Sequence, residues 1–157
     1  MNYESFLKKL EESQWNVPNK SFAHKAFGEW QVAFIRMGGR YQQAGSVTFV
    51  VCLRHINMRN LDAQHIEIEK EPHSYPFKFT IEDIAKGKFR YQSKLLNYDM
   101  SRLPTDAGWS KLYEGLEQTI PLWLSSLTNK ELSLQISKFG KSGYIEKIWL
   151  EDLSENI

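Results

Sequence analysis

His65, Glu67 and Glu69 alternate with Ile66 and Ile68. In an extended chain all three polar side chains project from one face. Imidazole and carboxylates together are ligands for a divalent metal, and His55 or His73 would add a further donor. The same alternation is what any solvated strand face presents, and no neighbouring pattern supplies a second shell to orient the ligands. The solvated face is the simpler account, and no metal or other cofactor is expected. Gly140-Lys141-Ser142 has the ending of a phosphate-binding loop. Such a loop needs a glycine five places before its second glycine, and Gln135 stands there. It also needs a strand before it, where the periodicity here is helical. A helix stop followed by a cap fits better. Cys52 with a distant histidine would make a nucleophilic pair. Its setting, Val50-Val51-Cys52-Leu53, is instead that of a small buried hydrophobe. No serine occupies a Gly-x-Ser-x-Gly elbow. The carboxylate pairs Glu82-Asp83 and Glu151-Asp152 sit where helix ends place charge and carry no specific acid–base signal.

Lys86-Gly87-Lys88-Phe89-Arg90-Tyr91 interleaves cations with aromatic rings, the composition of a single-strand nucleic-acid platform. Strict alternation puts Phe89 and Tyr91 on one face and Lys88 and Arg90 on the other. That geometry favours rings in a core and cations in water. The set Trp109, Tyr113, Trp123 and Trp149 suits a core before it suits a ligand cage. Part of it can also form a partner surface. The residues singled out as a binding surface are Arg36, Arg40, Lys88, Arg90, Trp109 and Trp123.

The elements that must position these groups form one domain of 157 residues, long enough to bury a core without a staple. Apolar residues make up 41% and aromatic ones 13%, too rich for a disordered chain. The net charge of +1 sets up no global field that would demand nucleic acid, an anionic membrane or an acidic substrate. Locally the balance swings. Residues 20–60 carry Lys20, Lys25, Arg36, Arg40, Arg54 and Arg59 against Glu29 alone. Residues 61–85 are acidic in excess. Residues 86–102 carry Lys86, Lys88, Arg90, Lys94 and Arg102 against Asp99. Alternation between neighbouring strands would pair these charges in space; a one-sided basic face is the sharper alternative. With Cys52 as the only cysteine, neither an intramolecular disulfide nor a cysteine-based zinc site is expected. Met1-Asn2-Tyr3-Glu4 lacks the basic and then apolar run of a signal peptide, and no apolar stretch approaches the ~20 residues of a membrane span. A cytoplasmic location is expected.

Tyr3 to Gln14 has helical spacing, with Phe6, Leu7 and Leu10 on one face. Trp15 to Asn19 ends it, with Pro18 as breaker. Trp30–Met37 and Ser46–Arg54 are strands, the second apolar on both faces and therefore central. Gly38–Gly45 connects them; the loop is long for a hairpin, and direct pairing is the expectation. Gln64 to Lys70 is a half-exposed edge strand, Phe77 to Phe79 a short strand, and Lys88 to Leu96 a further one. Thr80 caps a short helix that stops at Gly87. Asp106 caps a helix running to about Thr119, and Pro121 kinks it or begins another, Leu122 to Leu127. Thr128-Asn129-Lys130-Glu131 is a capping box opening a helix that ends at Gly140. Tyr144, Ile145, Ile148, Trp149 and Leu153 suit a final amphipathic helix. The fold class is α+β: an antiparallel sheet of about four to five strands, with the N-terminal helix and the C-terminal helices packed on one face.

An N-terminal helix, the aromatic-led strand Trp30-Gln31-Val32-Ala33-Phe34, a glycine-containing loop and the apolar strand Val47-Thr48-Phe49-Val50-Val51 resemble a bacterial family of unknown function. Gly108-Trp109 and Ile120-Pro121-Leu122-Trp123-Leu124 match its helical C-terminal portion. The resemblance covers most of the chain in order and implies the fold alone, since that family has no assigned activity. Similar small α+β proteins serve as immunity proteins beside bacterial toxins, by analogy of fold only. The expected function is a non-catalytic domain binding another protein. An unrecognised enzyme or small-molecule binder is the first alternative. Nucleic-acid binding through residues 20–60 and 86–102 is the second.

Overall fold

A computed structural model describes residues 1–37, 48–56, 58, 75, 77–80, 84, 87, 105–139 and 144–155. Helix α1 (Tyr3–Glu12) begins at Asn2, whose side-chain oxygen accepts the Ser5 amide at 2.8 Å. Phe6, Leu7 and Leu10 bury its inner face. It ends at Glu12, earlier than Gln14. The amide of Trp15 bonds the carbonyl of Leu10, and that of Gln14 bonds Glu11, each at 3.0 Å. Gln14 takes φ +71°. This is the paired closure that satisfies the last helical carbonyls.

Residues after the helix do more than end it. Asn16–Asn19 is strand β1 and Phe22–Phe27 is strand β2. They precede β3 (Trp30–Met37), β4 (Thr48–His55) and β5 (Phe77–Thr80). Among the described residues these make one five-stranded antiparallel sheet in the order β1-β2-β3-β4-β5. Pro18 is tolerated because β1 lies at the edge of the described strands, where a missing N–H breaks no inner ladder. β2 shows no period of two, since Phe22 and Ala23 are both buried, one on each sheet face. Gly28, at φ +61°, supplies the left-handed residue of the tight β2–β3 turn, which sets Phe27 opposite Trp30.

The β3–β4 pairing is direct, running from Trp30 opposite His55 to Met37 opposite Thr48. β4 is inner and buried on both faces, as its composition requires. Val32, Phe34, Phe49, Val51, Leu53, Phe77 and Phe79 face the helices in one core. Phe6 meets Phe34 at 5.3 Å between ring centroids and Trp109 at 4.9 Å. Ala33, Ile35, Val50 and Cys52 line the opposite face with Phe22 and Tyr75. Residues 46–47, the expected strands Gln64–Lys70 and Lys88–Leu96, and most of the expected helix after Thr80 lie outside the described residues. Gly87 does take a left-handed φ of +69°, and its amide bonds the Ile84 carbonyl at 3.1 Å.

Helix α2 (Asp106–Glu114) is capped by Thr105 rather than Asp106: the threonine hydroxyl accepts the Gly108 amide at 3.2 Å. Asp106 falls in the first turn, where its charge suits the helix dipole. A wider, π-type turn over Gly115–Thr119 carries the chain into α3 (Ile120–Ser126). Pro121 has no N–H to donate back, and the widened turn just before it re-registers the ladder without breaking the helix. Gly115 is required by contact: a Cβ there would lie 2.7 Å from Ile84 Cγ2 and 3.0 Å from the Ile84 carbonyl oxygen. Thr128 and Glu131 form the expected capping box, with bonds of 3.2 and 3.3 Å, at the start of α4 (Asn129–Phe139). Helix α5 (Tyr144–Glu155) completes the order, and Trp149 and Leu153 join the main core. Among the described residues no helix is long and apolar enough to cross a membrane.

Candidate functional site

The outer surface of α1 repeats charge at helical spacing. Glu4, Lys8 and Glu11 stand in line, one above the other, with Leu7 buried beside them. The β1–β2 hairpin rises opposite this line. Between them lies an open groove of about 600 Å³. Its helix wall is Glu4, Lys8 and Glu11, and its floor includes Leu7 and Val17. Asn19, Lys20 and Arg36 form the sheet-side wall.

Tyr3 ties the two walls together at one end. Its ring packs on Trp109 at 5.0 Å and on Phe49 at 5.6 Å between centroids. Its hydroxyl donates to the Lys20 carbonyl. The Arg36 guanidinium lies 5.5 Å from the centre of the same ring, a cation–π arrangement. Burial pushes the Tyr3 phenol above its ordinary range, while the nearby Arg36 charge pulls it back down. The Arg36 amide bonds the Ser21 carbonyl at 2.8 Å, so the arginine stands on a fixed backbone. Among the described residues, no carboxylate lies within ion-pair distance of Lys8, Lys20 or Arg36.

Other polar clusters are structural. Glu117 accepts from the Trp15 indole at 2.7 Å and pairs with Lys25 at 3.2 Å. The Lys25 ammonium also reaches the Ser13 carbonyl at 2.8 Å. These bonds clamp the end of α1 and β2 to the π-type turn. On the opposite sheet face Arg54, only 1% exposed, donates to Gln31 at 2.8 Å and lies 5.8 Å from the Tyr75 ring centre. Lys78 sits across from Cys52 in register, with its ammonium 5.8 Å from the Trp149 ring centre. Burial pushes the Cys52 thiol up to about 12, with Lys78 acting in the opposite sense. It is protonated at neutral pH and has no access to solvent, so it is a packing residue. His55 meets Glu29 at 2.9 Å on the rim of the sheet. Among the described residues no cluster of three or more His, Cys, Asp or Glu side chains is arranged to hold a metal.

The residues singled out from sequence separate. Arg36 lines the groove. Trp109 lies beneath it, 2% exposed, as part of the core that supports Tyr3 and not as a contact surface. Trp123 is half-buried and sets its edge on Phe79 at 5.7 Å. Arg40, Lys88 and Arg90 lie outside the described residues, as do His65, Glu67, Glu69 and Gly140-Lys141-Ser142. The described cations of residues 20–60 do not share one face: Lys20 and Arg36 border the groove, Lys25 is neutralised by Glu117, and Arg54 is buried behind the sheet. Tyr3, Lys8, Val17 and Lys20 carry no signal that marks them as a site in sequence. Only the pairing of β1 with β2 brings them opposite one another. The chain matches no family model, no curated protein and no solved structure.

Proposed function

We propose that this domain binds another protein, and that the groove between α1 and β1 is where the partner seats. The observation that carries this reading is a groove of about 600 Å³ with a partly apolar floor and a charged rim whose cations Lys8, Lys20 and Arg36 form no ion pair among the described residues. Apolar floor with polar rim is the anatomy of a protein-recognition surface. Tyr3 and Arg36 belong to the residue types that most often dominate such surfaces. Both are held in place before any partner arrives, by the aromatic cluster below and the β2–β3 ladder behind. The setting in which the domain works is the cytoplasm of a bacterial cell, and partner neutralisation of the immunity type is one form the role can take.

Site-specific photocrosslinking in the native host tests the assignment. A benzophenone side chain placed at Asn19, on the groove wall, is expected to give a discrete protein adduct that survives nuclease. The same group at Lys147, exposed on α5, is expected to give none. No adduct from Asn19, equal adducts from both positions, or an adduct destroyed by nuclease would overturn the proposal.

A further inference from the structure

The charge on the two walls of the groove is unequal, and that asymmetry says what the partner presents. On the helix wall Lys8 stands between Glu4 and Glu11 in sequence without an ion pair to either, so that wall mixes both signs. Glu11 lies at the far end of that wall. The sheet-side wall carries Lys20 and Arg36 and no carboxylate. Both residues are tied to Tyr3: the Lys20 backbone carbonyl accepts its hydroxyl, and the Arg36 guanidinium lies over its ring. A guanidinium half-withdrawn from water and held over an aromatic face has less freedom to lose on binding, and its planar fork matches a carboxylate in two-point contact.

We infer that the groove recognises an extended acidic segment of the partner protein, with one carboxylate seated on Arg36 and Lys20 beside the Tyr3 hydroxyl. This rests on the protein-binding reading above and adds the chemistry of what is bound. Length supports an extended segment. Glu4 to Glu11 covers about 10 Å of helix axis, which about three to four extended residues span. A small side chain would pack on Leu7 and Val17 while the acid reaches the Tyr3 end. The alternation of acid and small residues that an extended chain makes easy suits those two features.

The test is a titration of isotope-labelled protein with a capped hexaglutamate peptide, followed by the amide resonances of Tyr3, Lys20 and Arg36. Hexaglutamine, inorganic phosphate and a short oligothymidylate are the comparison ligands. The expected result is saturable shifts at those amides with hexaglutamate. Affinity should fall about tenfold in Arg36→Glu, and again in Lys20→Glu, in line with loss of one charge-assisted contact. Arg36→Lys should keep part of it, and added salt should weaken it. Lys20 is exposed, so Lys20→Glu reports on the site even if Arg36→Glu disturbs the fold. Hexaglutamine binding as tightly would overturn the acidic inference, and so would indifference to both charge reversals. In either case an adduct from Asn19 would leave the protein-binding reading standing. Phosphate competing on equal terms would reassign the site to a small anion, and tighter binding of oligothymidylate would reassign it to nucleic acid. Each defeats the inference. Absence of both peptide binding and the Asn19 adduct would remove both readings together.

Discussion

Cys52 shows how a reactive group is silenced by its surroundings. It stands on an inner strand with no exposed surface, opposite Lys78. Burial penalises the thiolate more than the lysine charge favours it, and the thiol is pushed up to about 12 from an ordinary value of 9.0. Between those limits the folded chain keeps a proton that the unfolded chain releases. The contribution to stability is therefore whole below pH 9 and declines as the pH rises, by about 1.4 kcal/mol per unit. The raised Tyr3 phenol acts in the same direction from a higher starting point. Cys52→Ala removes only the first effect. The wild-type protein should be the more stable at pH 7 through packing, and its advantage should narrow steadily in urea titrations from pH 9 upward. A constant gap would show that the thiol is ionisable in the folded state. At the same scale, the site residues depend on each other: Arg36 is fixed by the Tyr3 ring, and the Tyr3 ring by Trp109 and Phe49.

Helix α1 owes its end to a residue in an unfavourable conformation. Gln14 occupies the left-handed region at φ +71°, where a side chain costs about 1 kcal/mol or more and glycine almost nothing. The two closing bonds, from Trp15 to Leu10 and from Gln14 to Glu11, need that conformation and not that side chain. Gln14→Gly should therefore stabilise the protein by about 0.5–1 kcal/mol, after allowing for the looser unfolded chain. Chemical denaturation checks it, and a loss of stability would mean that the glutamine side chain contributes more than the strain. This turn is also where the sequence stops being legible. Spacing located α1, β3, β4 and the Thr128 capping box because each rests on local chemistry. β1 and β2 escaped because Pro18 argues against a strand until its edge position is known. Phe22-Ala23 hides its alternation because both sheet faces are covered. The groove escaped with them, since its second wall is the hairpin those strands make. Arg36 was singled out for its charge alone; that Tyr3 would lie under it follows only from the docking of α1 on the sheet.

Across the whole molecule the sheet is unevenly held. β4 bonds β3 along eight residue pairs and β5 along four, and is buried on both faces. β1 joins β2 with an irregular register, through Asn16 opposite His24 and Asn19 opposite Phe22, and three of its four residues are exposed. Opening free energy follows such differences, from near zero at frayed edges to the global value in the core. Hydrogen exchange should rank the strands accordingly. Amides of β3 and β4 should exchange only with global unfolding, and those of β1 should exchange through local opening, faster by orders of magnitude. The binding surface would then join a rigid wall, where Arg36 stands on β3, to a yielding one, where Val17 and Asn19 stand on β1. A ligand seated between them must slow exchange chiefly in β1, because β3 has little left to gain. Protection by a bound ligand that appears in β3 and β4 but not in β1 would show a binding site elsewhere on the fold. Protection confined to residues 16–20 would place the ligand against the hairpin and make the weakest strand the one that responds to it.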